Sequence, residues 1–418
     1  MFKGLSLDQA PPFGAVLRFF LTLPWMVALL GAAIFFSPES MGRWDDLSMV
    51  GIVHLAVLGF GATAMVGALF QMLPVIAGAA IKDPLYHARW IHALMVLGTL
   101  MLFGAFYLGR PFLFHPALVL LMGSLGFVDF LMLSKLLKVE NKTPSVVGMI
   151  AALLSLGLGL IFAVAVTLAF MGVDVGIDPG HLRSIHMHFM LFGWIVLLIM
   201  AVAFQVIEMF YVTPPYPNSL RRWTPIAITG LLVVSVPLYL VSPVGGRVID
   251  WAIGLLIAVF AAVTLRRLSQ RRRPVADATV MLWRSGMVSL LAAVGAGLAS
   301  TVVDMPTLFG FAAFAFGYFF FSIIFAMSYK IIPFLVWFHL NAKGVLETPM
   351  MGDIVPAKRA MGHLWLHWIT GAAIAGALLF SPLWPFVGLV LVAEGAIFGY
   401  NLYKAAGLYY KLKDKGMI

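Results

Sequence analysis

The stretch HLRSIHMHFMLFGWIVLLIMAVAFQVIEMFYV, residues 181–212, decides how this chain folds. It is apolar for long enough to cross a bilayer, and it opens with His186 and His188 just inside one end. A second stretch, HLAVLGFGATAMVGALFQMLP at 54–74, repeats its layout at a constant offset of 134 residues. His54 then falls on His188, Gly59 on Gly193, Phe60 on Trp194, Phe70 on Phe204 and Gln71 on Gln205. Five matches in one ungapped frame point to a duplicated helix that carries a histidine at the same depth twice.

The rest of the chain has the same character. Of 418 residues, 62% are hydrophobic and 11% charged, with a mean hydropathy of +1.02. A soluble protein of this size carries about 25% charged residues. Apolar runs recur from end to end, and the fold class they predict is an all-α membrane protein. Twelve helices are expected, near 15–37, 48–80, 90–109, 112–137, 146–172, 184–212, 224–242, 248–265, 280–303, 307–336, 361–381 and 384–409. The second, sixth and tenth exceed the roughly 20 residues a crossing needs. The net charge of +10 comes from short basic loops between apolar runs, which is a topology signal and excludes a nucleic-acid groove. With the N-terminus inside, only Arg43, Arg110, Arg183 and Arg247 of the 27 Lys and Arg fall outside. Both termini are therefore expected in the cytoplasm of a bacterial-type inner membrane. The N-terminal residues carry no signal-peptide cleavage pattern, so the first apolar run is expected to remain as a helix.

An offset of 134 residues equals about four helices with their loops. The reading is a single integral membrane domain over 1–418, built as three pseudo-threefold four-helix repeats near 1–140, 141–275 and 276–418. The third copy lacks the outer histidine, although Ile331-Ile332-Pro333 resembles Met72-Leu73-Pro74. RRLSQRRRP, 266–274, reads as a charge anchor at the membrane surface.

On this topology His54, His115, His181, His186 and His188 lie near the outer face, with His181 in a polar loop. His87, His92, His339, His363 and His367 lie near the inner face. An ionisable side chain within a membrane helix is costly and marks a functional-site candidate. A neutral imidazole bonded to a neighbouring helix is the plain alternative. The duplicated position favours the ligand reading, because imidazole nitrogens are the usual axial ligands of b-type haem. Gly59 and Gly193 follow five residues on, where a missing side chain admits either a macrocycle or another helix. His186 and His188 are separated by about 200° around a helix, so they cannot both face one ligand. Either one binds and the other is structural, or the helix serves two sites.

His363 and His367, at i and i+4, share a face as a metal pair would, or belong to an aromatic belt with Trp365 and Trp368. Asp129, Glu208 and Glu394 are expected within or at the inner ends of helices, as proton-path members with Gln71 and Gln205 or as helix contacts. With no cysteine, thiolate metal sites and Cys-linked c-type haem are excluded.

His186-Met-His188 followed by Gly193-Trp194 resembles the haem-ligating helix of haem-copper oxidase catalytic subunits, the C-type oxidases and nitric oxide reductases above all. The resemblance implies that one of the two histidines holds a high-spin haem. The other then shares a low-spin haem with a lone His on the second helix, the place of His54. The HxH helix is sixth here where those enzymes have it tenth. The seventh and tenth helices hold no His for a copper site, and no His-Tyr cross-link candidate is evident. A proton-pumping oxidase is therefore not expected, and copper is unsupported. GIVHLAVLGFGATAMVGALFQMLPVIAG, 51–78, also resembles the second helix of NnrS-type haem- and copper-containing membrane proteins linked to nitric oxide tolerance.

The expectation is a protein binding one or two haem b groups, with His54 and His188 as the first ligand pair, His186 as the alternative partner or the anchor of a second haem, and Gly59 and Gly193 beside them. It would carry electrons or handle nitric oxide or oxygen; if it is an enzyme it is an oxidoreductase. Expected partners are membrane lipid, a quinol or cytochrome electron donor and the gas. A homo-oligomer is compatible with this reading and nucleic acid is not. The competing class is a twelve-helix secondary transporter whose histidines bind protons.

Overall fold

Within a bilayer no water is present to satisfy backbone N–H and C=O groups, so long apolar runs bond internally as helices. A computed structural model describes residues 9–272, 275–303, 305–345 and 348–414, and every regular element among them is helical. Eleven of these helices are long and apolar enough to cross a membrane. They are α1 (Phe13–Phe36), α2 (Leu47–Ala77), α3 (Pro84–Tyr107), α4 (Pro111–Leu137), α5 (Pro144–Phe170), α6 (Pro179–Tyr211), α7 (Asn218–Val241), α8 (Pro243–Ser269), α9 (Ala278–Ser300), α10 (Pro306–Ala342) and α12 (Trp384–Asp414). The chain is a multi-pass membrane protein. Between the last two lies α11 (Ala357–Leu379), 23 residues and long enough for a crossing. Its Lys358, Arg359, His363 and His367 dilute the apolar character, and it packs against α9, α10 and α12.

The long helices expected at the second, sixth and tenth places are found, with 31, 33 and 37 residues. Several starts come earlier than periodicity indicated. Pro84, Pro179 and Pro243 each occupy the first turn of a helix, where a missing N–H costs nothing. Asp178 caps α6 by accepting from the N–H groups of Gly180 and His181 at 2.9 and 3.2 Å. His181 thus sits in the first turn of α6, not in a loop. At the other end α10 runs on to Ala342, and a single turn at Met351–Ile354 precedes α11, so 337–360 is only partly a polar connection. Of the expected inner-side cations, Lys3, Arg273 and Lys415 lie outside the described residues, as does Pro274 at the end of the basic 266–274 run.

Helix α1 packs on α2 and α12, α5 packs on α6 and α7, and α9 packs on α8 and α10. The α1–α12 contact joins the two ends of the chain. It is close because glycines face backbone. A Cβ on Gly388 would stand 2.6 Å from the Gly31 carbonyl oxygen, and one on Gly395 would stand 2.8 Å from that of Pro24. Small residues that let backbones approach are the usual currency of helix packing in lipid. Helices α2, α6 and α10 meet in the middle, where all three line an apolar cavity of about 60 Å³ with Met72, Ile199 and Met327 in its wall.

Candidate functional site: the histidines of α2 and α6

Neither α2 nor α6 is a uniform α-helix. His54 closes an α-helical segment, and residues Leu55–Ala62 then widen into i→i+5 π-helical bonding before α-helix resumes at Thr63–Ala77. His188 does the same: Phe189–Val196 is π-helical and Leu197–Tyr211 returns to α. All these boundaries stand at the offset of 134 seen in the sequence. Both helices also end on a left-handed residue, Gly78 at φ 63° and Val212 at φ 52°. A valine in that region is strained, so the backbone course at this end is kept in α6 without the glycine that eases it in α2. Runs of π-helix are rare and concentrate at functional sites. Helix α10 has no π segment, in line with its missing histidine.

The imidazoles are held alike. His54 Nδ1 lies 2.8 Å from the Val50 carbonyl oxygen, and His188 Nδ1 lies 2.6 Å from that of Ser184, in each case four residues back. Nδ1–H is the donor in both, since a carbonyl only accepts, and in His54 this leaves Nε2 as the nitrogen with a lone pair. A backbone carbonyl on one ring nitrogen is the usual device for orienting a ligating histidine. His186 Nδ1 bonds across to α5, 3.0 Å from the Gly159 carbonyl oxygen.

The Nε2 atoms separate the three. Those of His54 and His186 make no hydrogen bond among the described residues, and the two rings lie within electrostatic reach of each other. The His54 ring also stacks on Phe106 of α3 at 5.5 Å. His188 faces elsewhere. Its Nε2 stands 2.9 Å from Asp250 Oδ1 on α8 and 2.7 Å from the Tyr239 hydroxyl on α7, and Tyr239 donates a short hydrogen bond to the same Asp250 oxygen. His186 and His188 therefore serve opposite sides of α6, as the 200° separation requires. A tyrosine thus lies against His188 as a hydrogen-bond neighbour. The signal for Asp250 was available, as a carboxylate near the start of α8. Tyr239 carried no motif.

The spaces above Gly59 and Gly193 are taken by helices. A Cβ on Gly59 would meet Met26 Sδ of α1 at 3.0 Å, and one on Gly193 would meet Ser155 Oγ of α5 at 2.7 Å. Of the two roles open to these glycines, the structure displays helix packing. Deeper in the bundle, Gln71 and Gln205 line a cavity of about 20 Å³ between α2, α6 and α10. Both polar atoms of the Gln71 amide are buried without a partner, and about 10–15 Å³ is enough to admit a water.

The other sequence candidates divide into local roles and one cluster. Glu208 accepts from the Tyr216 backbone N–H at 2.9 Å and so caps the turn after α6. His92 pairs with Thr22 at 2.7 Å, and His87 packs against Tyr86 and Phe127. Asp129 is set against Gly157 of α5 with Oδ1 unpartnered. His363, His367 and Glu394 come together in a buried network. No group of three or more His, Asp or Glu among the described residues has the arrangement of a metal site. A scan of protein-family models finds none that matches the chain, and a search of curated proteins finds none similar to it.

Proposed function

We propose that this chain is a b-type haem-binding integral membrane protein with an oxidase-like architecture, acting in electron transfer or in nitric oxide or oxygen chemistry. The observation that carries the reading is the pair of imidazoles, His54 on α2 and His186 on α6, each held through Nδ1 by a backbone carbonyl with Nε2 free of hydrogen bonds among the described residues, and a repeated device on the same two helices supports it. At one offset, an imidazole is tethered through Nδ1 to the carbonyl four residues back, and an eight-residue π segment follows. Twelve crossings, counting α11, arranged as three four-helix units with both termini cytoplasmic in a bacterial-type inner membrane, complete the proposal. The recurring pairs α1–α2, α5–α6 and α9–α10, and the meeting of α2, α6 and α10 around one cavity, support the threefold arrangement.

The donor set fits a haem. His54 and His186, on α2 and α6, present Nε2 atoms that make no hydrogen bond among the described residues. They are the ligand pair favoured here. His188 would have to leave Asp250 and Tyr239 before its Nε2 could bind iron. A haem held there would supply one-electron redox chemistry or gas binding. The Val50 and Gly159 carbonyls fix the tautomer and rotation of the two ligands. Asp250 and Tyr239 hold His188 and can pass a proton with it on the other side of α6. A quinol or cytochrome donor and a gas follow as proposed partners.

Purified protein expressed with ample haem supply should show a Soret band that shifts on dithionite reduction. A colourless protein under those conditions refutes the reading and returns the transporter class to first place.

A further inference from the structure

A second polar centre lies between α10, α11 and α12, and its hydrogen count does not close without an additional proton. Glu394 of α12 is fully buried, as is His363, and His367 is 1% exposed. Glu394 Oε1 lies 2.7 Å from His367 Nδ1 and 3.5 Å from His363 Nε2, and Oε2 accepts from the Thr370 hydroxyl at 2.8 Å. No Lys or Arg bonds to this carboxyl among the described residues, so the imidazoles are its only basic neighbours. An unpaired carboxylate at such a depth is strongly disfavoured.

The donors can be assigned from the outside inward. Ser322 Oγ lies 2.7 Å from the Tyr318 carbonyl oxygen, which can only accept, so the serine hydrogen is committed there. The same oxygen lies 2.7 Å from His367 Nε2, and with its hydrogen spent it must accept, so Nε2 carries a proton. A second proton must lie on the 2.7 Å line between His367 Nδ1 and Glu394 Oε1, since without one two lone pairs would face each other. The pair therefore holds one proton more than a carboxylate with a neutral imidazole. On the opposite flank, Asn401 donates to the Tyr329 hydroxyl at 2.9 Å, and that hydroxyl lies 2.9 Å from His363 Nδ1. Tyr329 can donate onward to His363 Nδ1, and His363 Nε2 then lies 3.5 Å from Glu394 without a hydrogen bond among the described residues. Tyr318 stacks on the His367 ring at 4.2 Å and Phe325 closes the side, so water is kept away.

We propose that Glu394 and His367, flanked by His363, form a proton-binding site inside the membrane bundle. Its ligand is a single proton shared between Oε1 and Nδ1, and that proton moves along one hydrogen bond with no electron transferred. Tyr329 with Asn401 on one side and Ser322 on the other flank the site. The site is independent of the haem reading and stands whether or not the protein is coloured.

The test uses full-length protein in lipid bilayers at neutral pH with ring-15N histidine, the His367 signals being assigned by their loss in His367→Asn. Infrared spectra of the same samples report the carboxyl of Glu394, assigned through Glu394→Gln. Two results support the site: His367 with protons on both nitrogens, or a protonated carboxyl band that Glu394→Gln abolishes. An ionised Glu394 together with a singly protonated His367 overturns it. Both readouts come from the wild-type protein. Should Glu394→Gln fail to fold, Ser322→Ala supplies the second arm by removing the Nε2–H acceptor and shifting that resonance; a resonance left unmoved also overturns the assignment.

Discussion

At the scale of single residues, the helical periodicity of His186 and His188 was legible and the identities of their partners were not. Two residues of separation set the opposite facings before any neighbour was known. Which neighbours those are depends on α5, α7 and α8 coming within reach, and no motif on those helices announces it. The glycines show the same division. Their spacing marked a close approach, while the nature of the approaching group came from the packing of α1 and α5. This leads to a graded prediction. Gly193→Ala drives a methyl into Ser155 on the backbone-proximal part of α5, and overpacking of this kind costs about 1–3 kcal/mol. Gly59→Ala meets the thioether of Met26, a flexible side chain that can give way, so its cost should fall below that range. Thermal unfolding midpoints of the two variants in detergent should separate in that order.

Among the elements, the apolar runs located the long helices in order, eleven of them long and apolar enough to cross a membrane where twelve were expected, while the caps that set their first turns carry no apolar signal. Asp178-Pro179 and Ser242-Pro243 are ordinary start signals, overlooked because the residues after them are polar enough to resemble loop. The π segments could not have been foreseen, since i→i+5 bonding has no composition of its own, although the repeat did locate where they would occur. Two predictions concern whole elements. Gly388→Leu places a branched side chain where the Gly31 carbonyl stands 2.6 Å from the position of a Cβ, so α12 should separate from α1. A cysteine pair introduced across that contact should cross-link less efficiently in the variant than in its absence. At the start of α9, outside the membrane-spanning segments, burial works to raise the Asp277 carboxyl, but the Lys330 ammonium at 2.8 Å and hydrogen bonds from Thr279 and Val280 hold it below its ordinary value. A carboxylate lowered in the folded state adds stability above its unfolded value of about 3.9, and that contribution fades as pH falls towards the folded value. Because Asp277 is 47% exposed, the pair is worth at most about 1 kcal/mol. Asp277→Asn should therefore lower the unfolding midpoint slightly at neutral pH and have no further effect in acid.

For the molecule as a whole, composition sufficed to identify a multi-pass helical bundle, and α2, α6 and α10 line one apolar cavity within it. The helix least evident by hydropathy, α11, carries the buried His363 and His367. The same polar side chains that lower its apolar character equip it for the centre it forms with α10 and α12. Function was less accessible, because an oxidase-like pattern of histidines says which residues to examine and leaves their pairing open. The proposal pairs His54 with His186, because His188 is bonded to Asp250 and Tyr239. The most direct measurement is the reduced-minus-oxidised absorption spectrum of haem-replete wild-type protein beside His54→Ala, His186→Ala and His188→Ala. The account predicts a low-spin spectrum in the wild type that is lost or turned high-spin in His54→Ala and His186→Ala and kept in His188→Ala. A wild-type protein without a Soret band, or a spectrum that survives in His186→Ala and vanishes in His188→Ala, would contradict it.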